Sequence, residues 1–235
     1  MPRIMVCQSL VSPQEFRWKD AKDYCSSLLL GGIKDWRLPS AIELVSLLDF
    51  TTENPTVDGS AFPVTPSRRF WSSSPFATVS EPAVSWCVDF GGGATTTFPL
   101  DSGLAVRCVH GAIPLPSQHY EIASGVVTDN ATKLQWQQAL GSSQMTFAEA
   151  SAYCQSLNLN GSGWRLPSIK ELQTIVDRKR VGPSIDPFVF SQTPGLVFWS
   201  SSPAAGGNPW GVHFGIYGVT VNKSTAPDFA VRCVR

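Results

Sequence analysis

Apolar positions along the chain follow two periods, and the whole alternation runs twice. Trp18, Ala21, Cys25 and Leu28 recur near the 3.6-residue period of a helix, as do Ala41, Leu44 and Leu47 or Leu48. From Trp86 the period shortens to two: Trp86, Val88 and Phe90 are separated by polar or small residues, and a glycine run leads to the strand-like Ala105–Val109. The same order returns with Phe147, Ala150, Cys154 and Leu157, then Ile169, Leu172 and Ile175 or Val176, then Trp210, Val212 and Phe214, and last Ala230–Val234. Two helices followed by a small antiparallel sheet, an α+β arrangement, are therefore expected in each half.

Identical strings sharpen the repeat. Trp-Arg-Leu-Pro-Ser stands at 36–40 and again 128 residues later at 164–168, each time with Glu-Leu at the same offset. Phe-Trp-Ser-Ser-Ser-Pro occurs at 70–75 and 198–203, and its tryptophan lies 35 residues beyond the first motif's tryptophan in both copies. A unit of more than roughly 100 residues is too long for a solenoid repeat and suits a duplicated domain. The expected boundaries are a first domain at 1–110, a proline-bearing linker at 111–118 and a second domain at 119–235. The second copy opens with Ser124–Gln138, whereas the first begins level with the end of that stretch, so the first domain is expected to lack its first strand.

Local signals fix where the helices begin. Ser40 with Glu43 and Ser168 with Glu171 form Ser-x-x-Glu capping boxes, and Thr146 with Glu149 forms another. The first copy has Arg17 where the second has Thr146, so an earlier start at Ser12-Pro13-Gln14-Glu15 is expected there. Trp36, Trp71, Trp164 and Trp199 are expected to fill the cores, and Arg37 and Arg165 to anchor turns through hydrogen bonds. Ser72–Ser74 and Ser200–Ser202 read as strands turning into loops, since no paired base would make a nucleophile of them.

Composition changes the picture by exclusion. Charged residues are 15% of the chain and the formal net charge is zero, so no nucleic-acid footprint is present. No apolar run approaches the roughly 20 residues of a membrane helix, so membrane insertion is not expected. Six cysteines, four of them in matched positions, point to an oxidising compartment. The opening residues are too short and too weakly apolar for a signal peptide, so an export signal is expected upstream of this chain. Cys25 with Cys108 and Cys154 with Cys233 are the expected disulfides, with two buried thiols per domain as the alternative. Cys7 holds the place of Trp136, and Cys87 that of Gly211. If Trp136 covers Gly211 on a neighbouring strand, Cys7 and Cys87 are close enough to bridge, and a third disulfide is expected; the alternative is two unrelated cysteines.

The ordered blocks Tyr-Cys-x-x-Leu, Trp-Arg-Leu-Pro-Ser-x-x-Glu-Leu, Phe-Trp-Ser-Ser-Ser-Pro, Trp-x-Val-x-Phe and the terminal Val-Arg-Cys-Val resemble the Lcl C-terminal-like domain, a bacterial family named for the terminal domain of a collagen-like adhesin. The resemblance spans nearly the whole chain, twice. It implies two tandem C-type-lectin-like domains in an extracellular, cell-surface or periplasmic protein, and the namesake adhesin binds sulfated glycosaminoglycans.

Candidate chemistry is sparse. The lectin-like scaffold supports catalysis in formylglycine-generating enzymes through a reactive cysteine pair, but Cys7 and Cys87 occur only in the first copy. His110, His119 and His213 fall in no triad or metal spacing, so no enzyme activity, cofactor or metal is expected. Calcium coordination by several carboxylates is not signalled either, and Glu53-Asn54-Pro55 reads as a turn. Arg68, Arg69, Arg178, Lys179 and Arg180 fall between the second helix and the Phe-Trp-Ser-Ser-Ser-Pro strand, where they could clamp sulfate or carboxylate groups of a glycan or stand as a solvated surface. The competing class is recognition of a surface protein through outward residues of the last hairpin, His213, Tyr217, Asn222 and Lys223, as in the variable targets of diversity-generating retroelements.

Overall fold

Each Trp-Arg-Leu-Pro-Ser string ends an extended segment and starts a helix at its serine, as the capping pattern requires. The structure, a computed structural model, describes residues 5–76, 83–111, 120–140, 144–180, 182–216, 218–222 and 228–235, with the side chain of Asn222 excepted. Linker residues 112–118, His119, Tyr217 and Lys223 lie outside the described residues. The chain divides into two compact units, Met1–Pro114 and Leu115–Arg235.

The first unit runs β1 (Val6–Cys7), α1 (Trp18–Ser27), α2 (Ala41–Leu47), β2 (Arg69–Pro75), β3 (Val84–Asp89), β4 (Thr95–Pro99) and β5 (Val109–His110). Strands β2, β3 and β4 form an antiparallel meander, and β1 pairs antiparallel with β5. The second unit runs β6 (Tyr120–Ala123), β7 (Val126–Asp129), β8 (Gln135–Gln137), α3 (Phe147–Ser156), α4 (Ile169–Thr174), β9 (Val197–Pro203), β10 (Pro209–His213) and β11 (Val219–Asn222). Its meander β9–β10–β11 matches β2–β3–β4, and β6–β7–β8 form a further antiparallel sheet. The architecture is α+β with small antiparallel sheets, as the two periods predicted.

Capping chemistry explains the helix starts. Ser40 Oγ accepts from Glu43 N–H at 3.4 Å while Glu43 Oε2 accepts from Ser40 N–H at 2.8 Å. Ser168 with Glu171 and Thr146 with Glu149 repeat the exchange. The first copy departs from expectation: α1 starts at Trp18 behind an uncapped Arg17, not at Ser12. Ser12–Phe16 is instead drawn into pairing with the last segment, Ser12 N–H donating to Val106 O at 3.0 Å and Phe16 exchanging bonds with Leu104. A stretch whose donors are spent on a neighbouring strand cannot also form a helical turn.

The Ala-Val-Arg-Cys-Val segments are extended threads more than sheet strands. Ala105 bridges Phe70 in parallel and Val109 bridges Arg37, while Ala230 bridges Phe198 and Val234 bridges both Trp136 and Arg165. Alternation along the thread separates two faces. On one, Val106 and Cys108 join Ala21, Cys25, Trp36, Trp71 and Cys87, and the Cys25–Cys108 disulfide closes this core. Cys154–Cys233 closes the corresponding core of Ala150, Trp164, Trp199 and Val231. On the other face lies Arg107, over Phe62 and Phe70.

The same alternation overturns the expected Cys7–Cys87 bridge: both cysteines are free thiols. Val6 packs on the disulfide core with Cys87, so its neighbour Cys7 points the opposite way, beside Arg107. The proposed neighbour of Gly211 was also the wrong residue. A Cβ added there would lie 2.7 Å from Val197 Cγ1 and 2.9 Å from Phe198 O, so Val197 fills that space rather than Trp136. In the first unit Arg69 replaces Val197 in register, opposite Asp89 as Val197 is opposite His213, and its side chain leaves room for Cys87.

Candidate functional site

Most of the repeated residues hold the fold. Arg37 donates to both carboxylate oxygens of Glu43, at 2.8 and 2.5 Å, and its Nε donates to Gly111 O at 3.1 Å. Arg165 grips Glu171 in the same two-pronged way, at 2.8 and 2.6 Å. Burial pushes the Glu43 carboxyl up, but hydrogen bonds from Arg37 and Ser40 outweigh it and hold the pKa below the usual carboxylate range. The serine triplets complete the helix starts: Ser74 Oγ accepts from Ala41 N–H at 2.9 Å, and Ser202 Oγ from Ile169 N–H at 3.0 Å. Ser73 and Ser201 donate backbone N–H bonds to Pro39 and Pro167. The two most conspicuous repeated strings are therefore halves of one helix-capping device.

The four motif tryptophans are buried, and each indole donates to a backbone carbonyl. Arg107 and Arg232, which the strand pattern alone did not single out, are buried as well. Arg107 donates to Gln8 O, Ser9 O and Thr65 Oγ1, and Arg232 to Gln137 O, Gln138 O and Thr193 Oγ1. Carbonyls, a hydroxyl and the rings of Phe62 and Phe190 surround these guanidinium groups, and burial lowers both pKa values. They tie the last segment to the strand before each first helix.

The arginines expected on loops separate into three situations. Arg68 and Arg69 stay exposed, with side chains 63% and 44% accessible, and both line a cavity of about 500 Å³ with Glu15, Ser67, Asp89 and Phe98. Arg68 pairs with Glu15 at 2.9 Å, Arg69 with Asp89 at 3.6 Å, and the Arg69 guanidinium lies 4.9 Å from the Phe98 ring centre. Lys179 and Arg180 are exposed, and Arg180 pairs with Asp177 at 2.9 Å. Arg178 is not part of a surface clamp: it is buried, bonded to Gln173, and burial lowers its pKa to about 10. The turn after α4 brings it inward to Gln173, where the sequence cluster suggested solvent.

His213 ends β10 half-buried, with Nδ1 accepting from Gly215 N–H at 3.1 Å. Asn222 pairs through its backbone with Trp210. The pairing of Arg69 with Asp89 and of Val197 with His213 shows that the two separate candidate sets, Arg68 and Arg69 in one copy and His213 in the other, occupy one corresponding corner of the two units. Glu15, Asp89 and Phe98 complete that corner in the first unit. The sequence could have flagged Asp89 as the strand end opposite Arg69, but nothing local links Glu15 to it.

Among the described residues, no three or more His, Cys, Asp or Glu side chains gather to hold a metal ion, and no helix is long and apolar enough to cross a membrane. Comparison with curated proteins finds no match. The family comparison does match, at residues 5–110 and again at 125–235, in both cases to the Lcl C-terminal domain. With its capping device and disulfide core written twice, the chain belongs to the Lcl C-terminal domain family, as two tandem copies.

Proposed function

We propose that the protein is a non-catalytic binding protein of the extracellular space, cell surface or periplasm, built from two C-type-lectin-like domains that recognise an acidic glycan. The Arg68–Arg69 corner is the primary site in this reading, with Lys179 and Arg180 as a second basic patch. The observation that carries it is the pair of exposed guanidinium groups on one cavity, beside the Phe98 ring and the Ser67 backbone. Their ion pairs with Glu15 and Asp89 are solvent-exposed, each worth about 0–1 kcal/mol, so a carboxylate or sulfate can displace Glu15 at small cost. Arginine's planar fork then binds the anion through two parallel hydrogen bonds. The disulfide in each unit fits an oxidising location.

A glycan array read at low and high salt, with and without chelator, tests this reading. Binding should weaken with salt and ignore the chelator, because guanidinium groups rather than a metal carry it. R68A/R69A should remove most of the signal while the circular dichroism spectrum stays unchanged. Signal lost on chelation, or retained in the double variant, defeats the mechanism. An empty array beside firm retention of a host surface protein would favour the competing protein-receptor reading.

A further inference from the structure

The charged groups on the Arg68–Arg69 cavity are not equivalent. Glu15 is the loose one: its side chain is 45% accessible, it rests over the bare backbone of Gly103, and among the described residues only Arg68 holds its carboxylate. Asp89 is fixed. Its Oδ1 accepts from Gly91 N–H at 2.8 Å in the turn after β3, and its side chain is only 25% accessible. Arg69 is fixed as well, between Asp89 and the Phe98 ring. The 3.6 Å between Arg69 Nε and Asp89 Oδ2 is too long for a hydrogen bond, so among the described residues Oδ2 keeps its full capacity to accept one.

These differences decide what enters. An anion that displaces Glu15 meets two guanidinium groups, yet Asp89 stays, so the cavity is left with one net positive charge and suits a single anion. A hydroxyl beside that anion donates to Asp89 Oδ2 in a charge-assisted hydrogen bond. A second anion in the hydroxyl's place meets a like charge at close range and is disfavoured by about tenfold or more. Glu15 itself shows which anion fits, since a carboxylate already bonds Arg68 at 2.9 Å. Phe98 packs on the disulfide core and carries Arg69 over its ring, so selection falls to the polar groups. In the second unit Leu196, Val197 and His213 hold the places of Arg68, Arg69 and Asp89, so anchor and filter are absent there together.

Resting on the acidic-glycan reading above, we propose that Asp89 is the specificity-determining residue of the first unit and that its ligand is a hexuronate with unsubstituted hydroxyls. The sugar carboxylate displaces Glu15 and bonds Arg68 and Arg69, while a neighbouring ring hydroxyl donates to Asp89 Oδ2. Sulfate on that hydroxyl sets a second anion against a carboxylate that the Gly91 amide prevents from swinging away. Heavily sulfated chains are therefore rejected, although they carry the higher charge.

The test titrates the whole chain by calorimetry with an unsulfated octasaccharide of alternating glucuronate and N-acetylglucosamine, and with the same octasaccharide sulfated on its hydroxyls. Salt is held at about 0.15 M, where long-range attraction to the sulfated chain is screened. The natural sequence should bind the unsulfated chain about tenfold more tightly. Asp89→Asn keeps an oxygen for the Gly91 amide but removes the charge, so it should bind the sulfated chain at least as tightly as the unsulfated one. R68A/R69A should bind neither. If the natural sequence binds the sulfated chain as tightly or more tightly, or if Asp89→Asn leaves the ratio unchanged, the role of Asp89 is overturned while acidic-glycan recognition stands. Binding of neither chain, or undiminished binding by R68A/R69A, overturns that recognition and this proposal with it.

Discussion

The Arg37–Glu43 pair shows how one residue pattern can carry different energies in two copies. Glu43 is buried and its partner's side chain is 19% accessible, whereas the matching Arg165 side chain is 48% accessible. Removing Arg37 strands a buried carboxylate together with the Gly111 carbonyl, which should cost about 3 kcal/mol. Removing Arg165 uncovers a pair that water already reaches, and the loss should be about 1 kcal/mol or less. Urea unfolding of R37A and R165A measures both, and equal losses would refute the argument. The pH dependence follows from the same contacts. Both glutamates have folded pKa values below 4.5, so their contribution is complete above that pH and is lost as pH falls through the folded values. E43Q, which cannot titrate, should flatten part of this acid limb.

Between β10 and β9 the decisive fact is a volume exchange. Gly211 leaves the space that Val197 fills, while in the first unit Cys87 takes that space and Arg69 swings outward to Asp89 and Phe98. Gly211→Ala should therefore destabilise the second unit by about 1–3 kcal/mol, since both Val197 Cγ1 and Phe198 O lie under 3.0 Å from the added carbon. Val197→Ala made in that background should restore part of the loss, giving a coupling of about 0.5 kcal/mol or more in a double-mutant cycle; strict additivity would exclude the exchange. Helix starts were legible in the sequence because a capping box is complete within four residues. The face to which Cys7 and Cys87 turn was not legible, because it depends on register against the threaded last segment. Trp136 and Gly211 looked like neighbours by spacing alone, yet they stand on different sheets and Val197 of the adjoining strand fills the space at Gly211. The Arg68–Arg69 corner was half legible: the arginines stand out, but Glu15, more than 50 positions earlier, reaches them only through the fold.

At the scale of the whole chain, duplication sets the pattern of stability. Each disulfide joins the first helix of its unit to that unit's last segment, across 83 residues in one and 79 in the other. Closing loops of this length restricts the unfolded chain by about 4–5 kcal/mol in the chain-entropy model, comparable with the net stability of a domain of this size. The buried arginines act along the same line, fastening the last segment to the strand before the first helix. Reduction thus removes a long-range constraint from a unit whose helices, six to ten residues long, are too short to persist alone. Because each disulfide and each core lies within one unit, the two should report separately in scanning calorimetry. Replacing Cys154 and Cys233 together by alanine should lower the melting of the second unit by more than about 10 °C and leave the other transition in place. Replacing Cys25 and Cys108 should do the converse. If either double variant lowered both transitions equally, the stability of the two copies would be shared, and the description of each unit as its own cooperative fold would have to be abandoned.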